Sequence, residues 1–275
     1  MKEMWRIWSL VLMMTPAFAQ LPEGLFSYQV GRMEIILLPD QQGTGNADIL
    51  LHADPDMLER LLPDGTFANA IHAFLIRTPH QTLLVDSGFG TRLPDHLEAL
   101  GVAPGDIHTI LLTHMHGDHI GGLLRNGQAA FPTAEIYVAQ REHDYWAREA
   151  PAHSAMQTVL AQYDGRFRLF QPLSSSQPFT FLLPGIQGFA AYGHTPGHTM
   201  YLLESDGEKL LIWGDLVHAM AIQMPDPRVA VTYDVAPEEA VQTRVEVLRY
   251  VAENHLPVAG MHIPFPGMGT LQPDR

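Results

Sequence analysis

Apolar residues along this chain come in short runs broken by polar, glycine-rich and proline-marked segments, the rhythm of strands alternating with loops and helices. Phe26 to Leu38 is rich in β-formers. Ile71 to Arg77 and Gln81 to Val85 are two further runs, separated at Thr78-Pro79-His80, where a turn is natural. The second run ends in the glycine-rich loop Val85-Asp86-Ser87-Gly88-Phe89-Gly90, and Leu93 to Leu100 can form a short helix. His108 to Leu112 is a β-rich run that delivers the chain into Thr113-His114-Met115-His116-Gly117-Asp118-His119, so a polar cluster caps a buried strand.

The same order recurs downstream. Glu135 to Ala139 reads as strand and Arg141 to Glu149 as helix, followed by an irregular middle with Pro151, Pro172, Pro178 and a loop at Ser174 to Ser176. Gly188 to Tyr192, Thr199 to Leu203 and Lys209 to Trp213 are strand candidates, the last two joined by a hairpin turn at Ser205-Asp206-Gly207. Pro237 to Glu253 is the best helix, with Pro237 at its start and Val241, Val245, Leu248 and Val251 as its apolar stripe. Pro257 to Gly260 makes a short final strand into Met261-His262. One α/β domain of αββα layering is the economical reading.

Composition narrows the classes. With 275 residues, 46% hydrophobic and only 17% charged, the chain can bury a sizeable core. A formal charge of -14 repels a phosphate backbone, which argues against a nucleic-acid partner. There are no cysteines, so any metal must be held by histidine and carboxylate. The first residues carry Lys2 and Arg6, the apolar stretch Ile7 to Met14, and Ala17-Phe18-Ala19, the order of an export leader cleaved after Ala19 to leave one domain over 20–275. That apolar stretch is far below the roughly 20 residues needed to cross a bilayer, so no stable membrane span is expected once the leader is removed. A periplasmic or secreted location follows.

Three imidazoles and a carboxylate, at His114, His116, Asp118 and His119, fall within six residues. These are ligand types that suit zinc and related first-row ions, and on one tight loop they cannot all face a single ion. An alternating His-x-His pair leaving a strand can aim both rings at one position while the Asp and the next His turn to a second, so two adjacent metal sites are expected.

The cluster matches the His-x-His-x-Asp-His signature of the metallo-β-lactamase superfamily, and the sequence resembles that family further in Gly193-His194-Thr195-Pro196-Gly197-His198, Gly214-Asp215 and Gly260-Met261-His262, in the family's order. The segment from His194 through Gly267 looks closest to the methyl parathion hydrolase branch. The resemblance implies two mixed β-sheets flanked by helices, with His114, His116 and His194 holding one metal, Asp118, His119 and His262 the other, and Asp215 bridging. It implies two divalent ions, zinc first among them, with manganese, cobalt and iron accepted by the same donors. It also implies a homodimer and a small-molecule substrate. The nucleophile would be a hydroxide shared by the ions, with Asp118 or Asp215 relaying its proton.

Asp86, in Val-Asp-Ser-Gly, resembles a family carboxylate that supports the ligand loops, and His198 is placed behind the ligands in the same way. His218 stands where lactonases of the superfamily commonly carry tyrosine, so it is either a substrate contact or a satisfied polar residue. Phe89, Trp146 and Phe265 either line an apolar cavity or serve as core aromatics. The expected activity is hydrolysis of phosphotriesters, aryl esters or lactones; β-lactam hydrolysis and iron-dependent redox chemistry on the same fold are the alternatives.

Overall fold

A computed structural model describes residues 5–9, 21–149, 154–173 and 182–273. The first half contains β1 (Trp5–Ser9), β2 (Phe26–Val30), β3 (Met33–Asn46), β4 (Leu50–Leu51), α1 (Pro55–Leu61), β5 (Thr66–Arg77), β6 (Thr82–Val85), α2 (Leu93–Ala99), β7 (Thr109–Leu111), α3 (Gly117–Ile120), β8 (Leu124–Arg125), β9 (Gln128–Ala129) and β10 (Glu135–Ala139). There follow α4 (Gln140–Glu149), α5 (Ser154–Gln162), β11 (Phe167–Phe170), β12 (Ile186–Ala190), β13 (Thr199–Ser205), β14 (Glu208–Ile212), α6 (Met220–Gln223), β15 (Ala230–Val231), α7 (Pro237–Glu253), β16 (Val258–Ala259) and β17 (Met268–Pro273).

Two mixed sheets organise these elements. One runs β11-β10-β7-β6-β5-β3-β2 and the other β1-β17-β16-β14-β13-β12. Strands buried on both faces need apolar residues at every position, which is why they read as continuous runs. In the first sheet Ile35, Leu37, Phe74, Ile76, Leu83, Val85 and Leu111 meet Tyr201, Leu203, Leu210 and Ile212 of the second sheet in the central core. Their alternates Ile36, Leu38, Leu75, Leu84 and Ile110 face the other way, onto Leu93 and Leu97 of α2, Trp146 of α4 and Val159 of α5. Behind the second sheet, Leu211, Trp213 and Val258 pack on Leu248 and Val251 of α7. The αββα layering is thus present, and β7 ends where both cores meet.

The structure extends the reading of the sequence in four places. The segment read as an irregular middle contains α5 and β11, while Pro151, Pro178 and Ser174 to Ser176 lie outside the described residues. β3 and β5 run well past the expected strands: beyond a bulge at Pro39/Gln41 they continue as a paired arm from Gln41↔Ile71 to Asn46↔Thr66. The arm's polar, glycine-rich β3 side hid it from a hydrophobic pattern. A small core of its own, with Met57, Leu62, Phe67, Ile222 and Val229, holds this arm against α1 and α6. The Pro257–Gly260 strand is not the last, because β17 follows it and also pairs with β1. The expected leader otherwise lies outside the described residues.

The inward stripe of α7 is Ala240, Arg244, Leu248 and Val251, shifted from the expected Val241, Val245, Leu248 and Val251. The shift has a cause: Arg244 is a core residue. Its guanidinium donates to the carbonyls of Leu216 (2.6 Å), Pro227 (3.0 Å) and Val229 (2.7 Å) and lies 3.7 Å from Asp234. Burial lowers its pKa to about 10, with Asp234 opposing, so it remains charged at neutral pH. Gly193 shows how closely α7 docks: its φ is +119°, and a Cβ there would lie 2.1 Å from the Ala240 nitrogen.

Arg244→Leu leaves the Leu216 and Pro227 carbonyls without their donor, takes one of two donors from the Val229 carbonyl and removes the cation beside Asp234, so unfolding by urea should show a loss of about 3–5 kcal/mol. A loss under about 1 kcal/mol would mean the guanidinium is dispensable.

Candidate metal centre

Loops at strand ends of both sheets converge on one point. The loop after β7 supplies His114, His116, Asp118 and His119; the β12–β13 loop supplies His194; the segment after β14 supplies Asp215; and the segment after β16 supplies His262. The nitrogens His114 Nε2, His116 Nδ1 and His194 Nε2 lie 3.0–3.2 Å from one another, and Asp215 Oδ2 is 3.6 Å from the first and 3.4 Å from the last. A second group adjoins it: His119 Nε2 is 3.2 Å from Asp215 Oδ1 and 3.7 Å from Asp118 Oδ1, and His262 Nε2 is 3.0 Å from Asp215 Oδ2 and 3.5 Å from Asp118 Oδ2. Asp215 is common to both.

The far nitrogens of four of these five rings have partners of their own outside the centre. His119 Nδ1 donates to Asp86 Oδ2 at 2.7 Å, His194 Nδ1 to Asp234 Oδ1 at 2.8 Å and His262 Nδ1 to the Ala70 carbonyl at 2.8 Å. His114 Nδ1 donates to Thr113 Oγ1 at 3.1 Å, which donates in turn to Asp86 Oδ2 at 2.7 Å. With Nδ1 bonded outward, each of these rings turns Nε2 to the centre, where a cation can replace whatever proton it carries. His119 Nε2 and Asp215 Oδ1 are buried with no hydrogen-bond partner. Three ring nitrogens within 3.2 Å of one another and buried ligand atoms left without a partner beside them suit divalent cations, because one cation can satisfy all three nitrogens where a single proton serves only one pair.

Residues behind the ligands are equally defined. His198, fully buried, donates through Nδ1 to the Ala191 carbonyl (3.0 Å) and accepts the Asp215 backbone N–H at Nε2 (2.9 Å), so both its nitrogens are committed and it positions Asp215. His218 Nε2 lies 3.1 Å from Asp215 Oδ2, and its ring stacks on that of His262. Burial lowers the His218 pKa to about 4, against the pull of Asp215, so the ring is neutral.

Above the centre opens a cavity of about 470 Å³. Its floor is His116, Asp118, His194, Asp215, His218 and His262; its walls include Phe67, Asn69 and Ile71 of the arm together with Ile49, Phe89 and Tyr233. Phe67, Asn69 and Ile71 share one face of β5 by strand alternation. Of the three aromatics singled out from the sequence, Phe89 lines the cavity. Trp146 instead sits behind the centre, its ring edge-on to His116 and its Nε1 donating to Glu142. Phe265 lies away from the cavity wall, edge-on to Phe26.

Sequence reasoning missed Glu142, Asp234, Asp40, Gln223 and Tyr233. Asp40, at the bulge of β3, accepts the Phe89 and Arg92 backbone N–H groups and so sets the Phe89 loop. Gln223 Oε1 accepts from the nitrogens of His218 and Ala219. None of these carries a local motif; a lone carboxylate in a mixed-polarity stretch shows no signal until its distant partner is known.

Comparison with known proteins agrees with this geometry. The metallo-beta-lactamase superfamily pattern matches residues 67–262, and the chain belongs to that superfamily. It is 29% identical over 146 residues to the probable metallo-hydrolase YybB of Bacillus subtilis (strain 168), covering 53% of this chain and 61% of that protein. The chain thus spans about three fifths of the length of this curated relative. Among solved structures, the hydrolase AbOPH of the beta-lactamase superfamily superposes with a TM-score of 0.80 at 27% identity, covering 92% of this chain and 98% of that one. The dizinc quorum-quenching lactonase AidC, in complex with its product N-hexanoyl-L-homoserine, shares the fold with a TM-score of 0.80 at 24% identity over 91% of this chain and 97% of its own. Similarity thus runs to metal-dependent hydrolases. No helix among the described residues is long and apolar enough to cross a membrane.

Burial pushes the pKa of His116 down to about 3, so it awaits a cation unprotonated. Burial also works against protonation of His194, but hydrogen bonds to Asp215 and Asp234 outweigh it and raise its pKa to about 9. A cation must displace that proton. Calorimetric titration of metal-free protein in buffers of differing ionisation enthalpy should therefore show proton release at pH 7, with affinity rising as pH climbs towards 9. Uptake without proton release would contradict this arrangement of charges.

Proposed function

We propose that this protein is an exported hydrolase of neutral ester-type substrates, lactones, aryl esters or phosphotriesters, that works with two divalent metal ions. One observation carries the reading: two sets of donor atoms that both reach Asp215 lie at the floor of a cavity in whose lining no lysine or arginine stands among the described residues. His114, His116 and His194 would hold one ion and Asp118, His119 and His262 the other, with Asp215 between them. Ions held there would supply Lewis acidity and acidify water near neutral pH.

The rest falls to the protein's own side chains. Ile49, Phe67, Ile71 and Phe89 exclude water and take the apolar part of the substrate, which orients its polar group toward the floor. Asp118 is less deeply buried than Asp215 and lines the cavity, so its carboxylate can accept and pass on a proton at the cavity floor. Asp215 is fixed by the His198 ring on its backbone and by the imidazoles around its oxygens, which suits a holding role. A substrate carboxylate, such as a β-lactam carries, would find no cationic partner on these walls while facing Asp118; a neutral ester pays no such cost. The order of Lys2, Arg6, Ile7 to Met14 and Ala17-Phe18-Ala19 supports export with removal of residues 1–19.

The test is hydrolysis by metal-analysed protein of an aryl phosphotriester, an aryl ester, an acyl-homoserine lactone and a cephalosporin. Turnover of at least one neutral substrate is expected, with the cephalosporin slowest, and Asp215→Asn should reduce turnover by at least about 100-fold. No turnover with metals bound, or preference for the cephalosporin, would refute the substrate class; bound iron with no hydrolysis would point to redox chemistry.

A further inference from the structure

Glu142 is a fully buried carboxylate on the first turn of α4 that no ligand motif includes. Both its oxygens are fully engaged. Oε1 accepts the Met115 backbone N–H at 2.9 Å and the Trp146 indole N–H at 2.7 Å; Oε2 accepts the Thr195 hydroxyl at 2.7 Å and the Gly197 backbone N–H at 2.9 Å. Three of these donors, two backbone N–H groups and an indole N–H, cannot accept, and the Thr195 hydroxyl can donate as the fourth, so the hydrogen-bond geometry favours the ionised form. Burial works the other way and raises the pKa, with the four hydrogen bonds opposing.

Three of these four donors adjoin a ligand. Met115 stands between His114 and His116, Thr195 directly follows His194, and the Trp146 ring meets that of His116 at 5.4 Å. Close packing leaves the clamp no slack: a Cβ on Gly197 would lie 2.3 Å from the Glu142 nitrogen. The two loops come from different sheets, so one carboxylate ties together the carriers of all three nitrogens in the first donor set. The second set is held otherwise, His119 by Asp86 and His262 by the Ala70 carbonyl, with no contact to Glu142.

We infer that Glu142 is a positioning residue selective for the His114, His116 and His194 donor set, fixing its geometry without touching the cation. The inference rests on reading the donor atoms as a metal centre, not on the substrate class.

The experiment titrates Co²⁺ into metal-free full-length protein, followed by visible absorption, in two backgrounds. Asp118→Ala leaves the first set, and His116→Ala leaves the second. Glu142→Gln keeps the size of the side chain but turns an amide NH₂ toward existing donors. It should weaken Co²⁺ binding about 10–100-fold in the Asp118→Ala background and change it less than about twofold in the His116→Ala background. Thr195→Val, which removes one donor and no charge, should give a smaller loss in the first background only, and decides the matter should Glu142→Gln fail to fold. Equal weakening in both backgrounds, or none in either, would overturn the selective role. Absence of any Co²⁺ uptake by the unaltered protein would overturn the metal reading and this inference with it.

Discussion

The arrangement depends on one electrostatic constraint: imidazole nitrogens 3.0–3.2 Å apart, around a carboxylate only 3% exposed, are held together in a dry interior that penalises any charge left without a partner. Most of that restraint is supplied from outside the ligand loops. It comes from the far sides of the rings, where Asp86, Asp234, Thr113 and the Ala70 carbonyl fix each proton outward, and from Glu142 and His198, which fix the backbone that carries the ligands. These partners are buried, and the low dielectric that makes a lone carboxylate costly makes its hydrogen bonds strong. The two-sheet core serves this end by bringing strand ends from both layers to one place.

The scaffold explains how a short motif becomes a precise site. β7 is apolar on both faces, so its C-terminal end is fixed by two cores before the chain turns into the ligand loop. Asp86, with a left-handed φ of 55°, sits at the end of the neighbouring β6 and reaches Thr113 and His119 at once. The cavity above belongs to a different layer of construction, since its wall is the β3–β5 arm with its own small core. Chemistry and selectivity are thereby built largely on separate parts of the fold, joined where the Ala70 carbonyl of the arm holds His262.

Much of this was legible in the sequence where the responsible residues are neighbours along the chain. His114, His116, Asp118 and His119 announce a metal centre by proximity, and the continuous apolar runs announce strands buried on both faces. What was hidden depends on partners far apart: Asp234 reaches His194 across 40 residues and Glu142 reaches Thr195 across 53. The α7 stripe misled because Arg244, counted as polar, has its donors satisfied by carbonyls contributed from other loops. Trp146 and Phe265 were ambiguous for a related reason, since a large aromatic beside a ligand loop can face the cavity or the core with equal sequence economy.

The most direct test of the central claim, that Asp215 joins two metal positions on one floor, is metal content together with anomalous diffraction at the absorption edge of the bound element. The account predicts two ions per chain, one among His114, His116 and His194, the other among Asp118, His119 and His262, both contacting Asp215. A single ion, or an ion elsewhere with these histidines hydrogen-bonded among themselves, would contradict it.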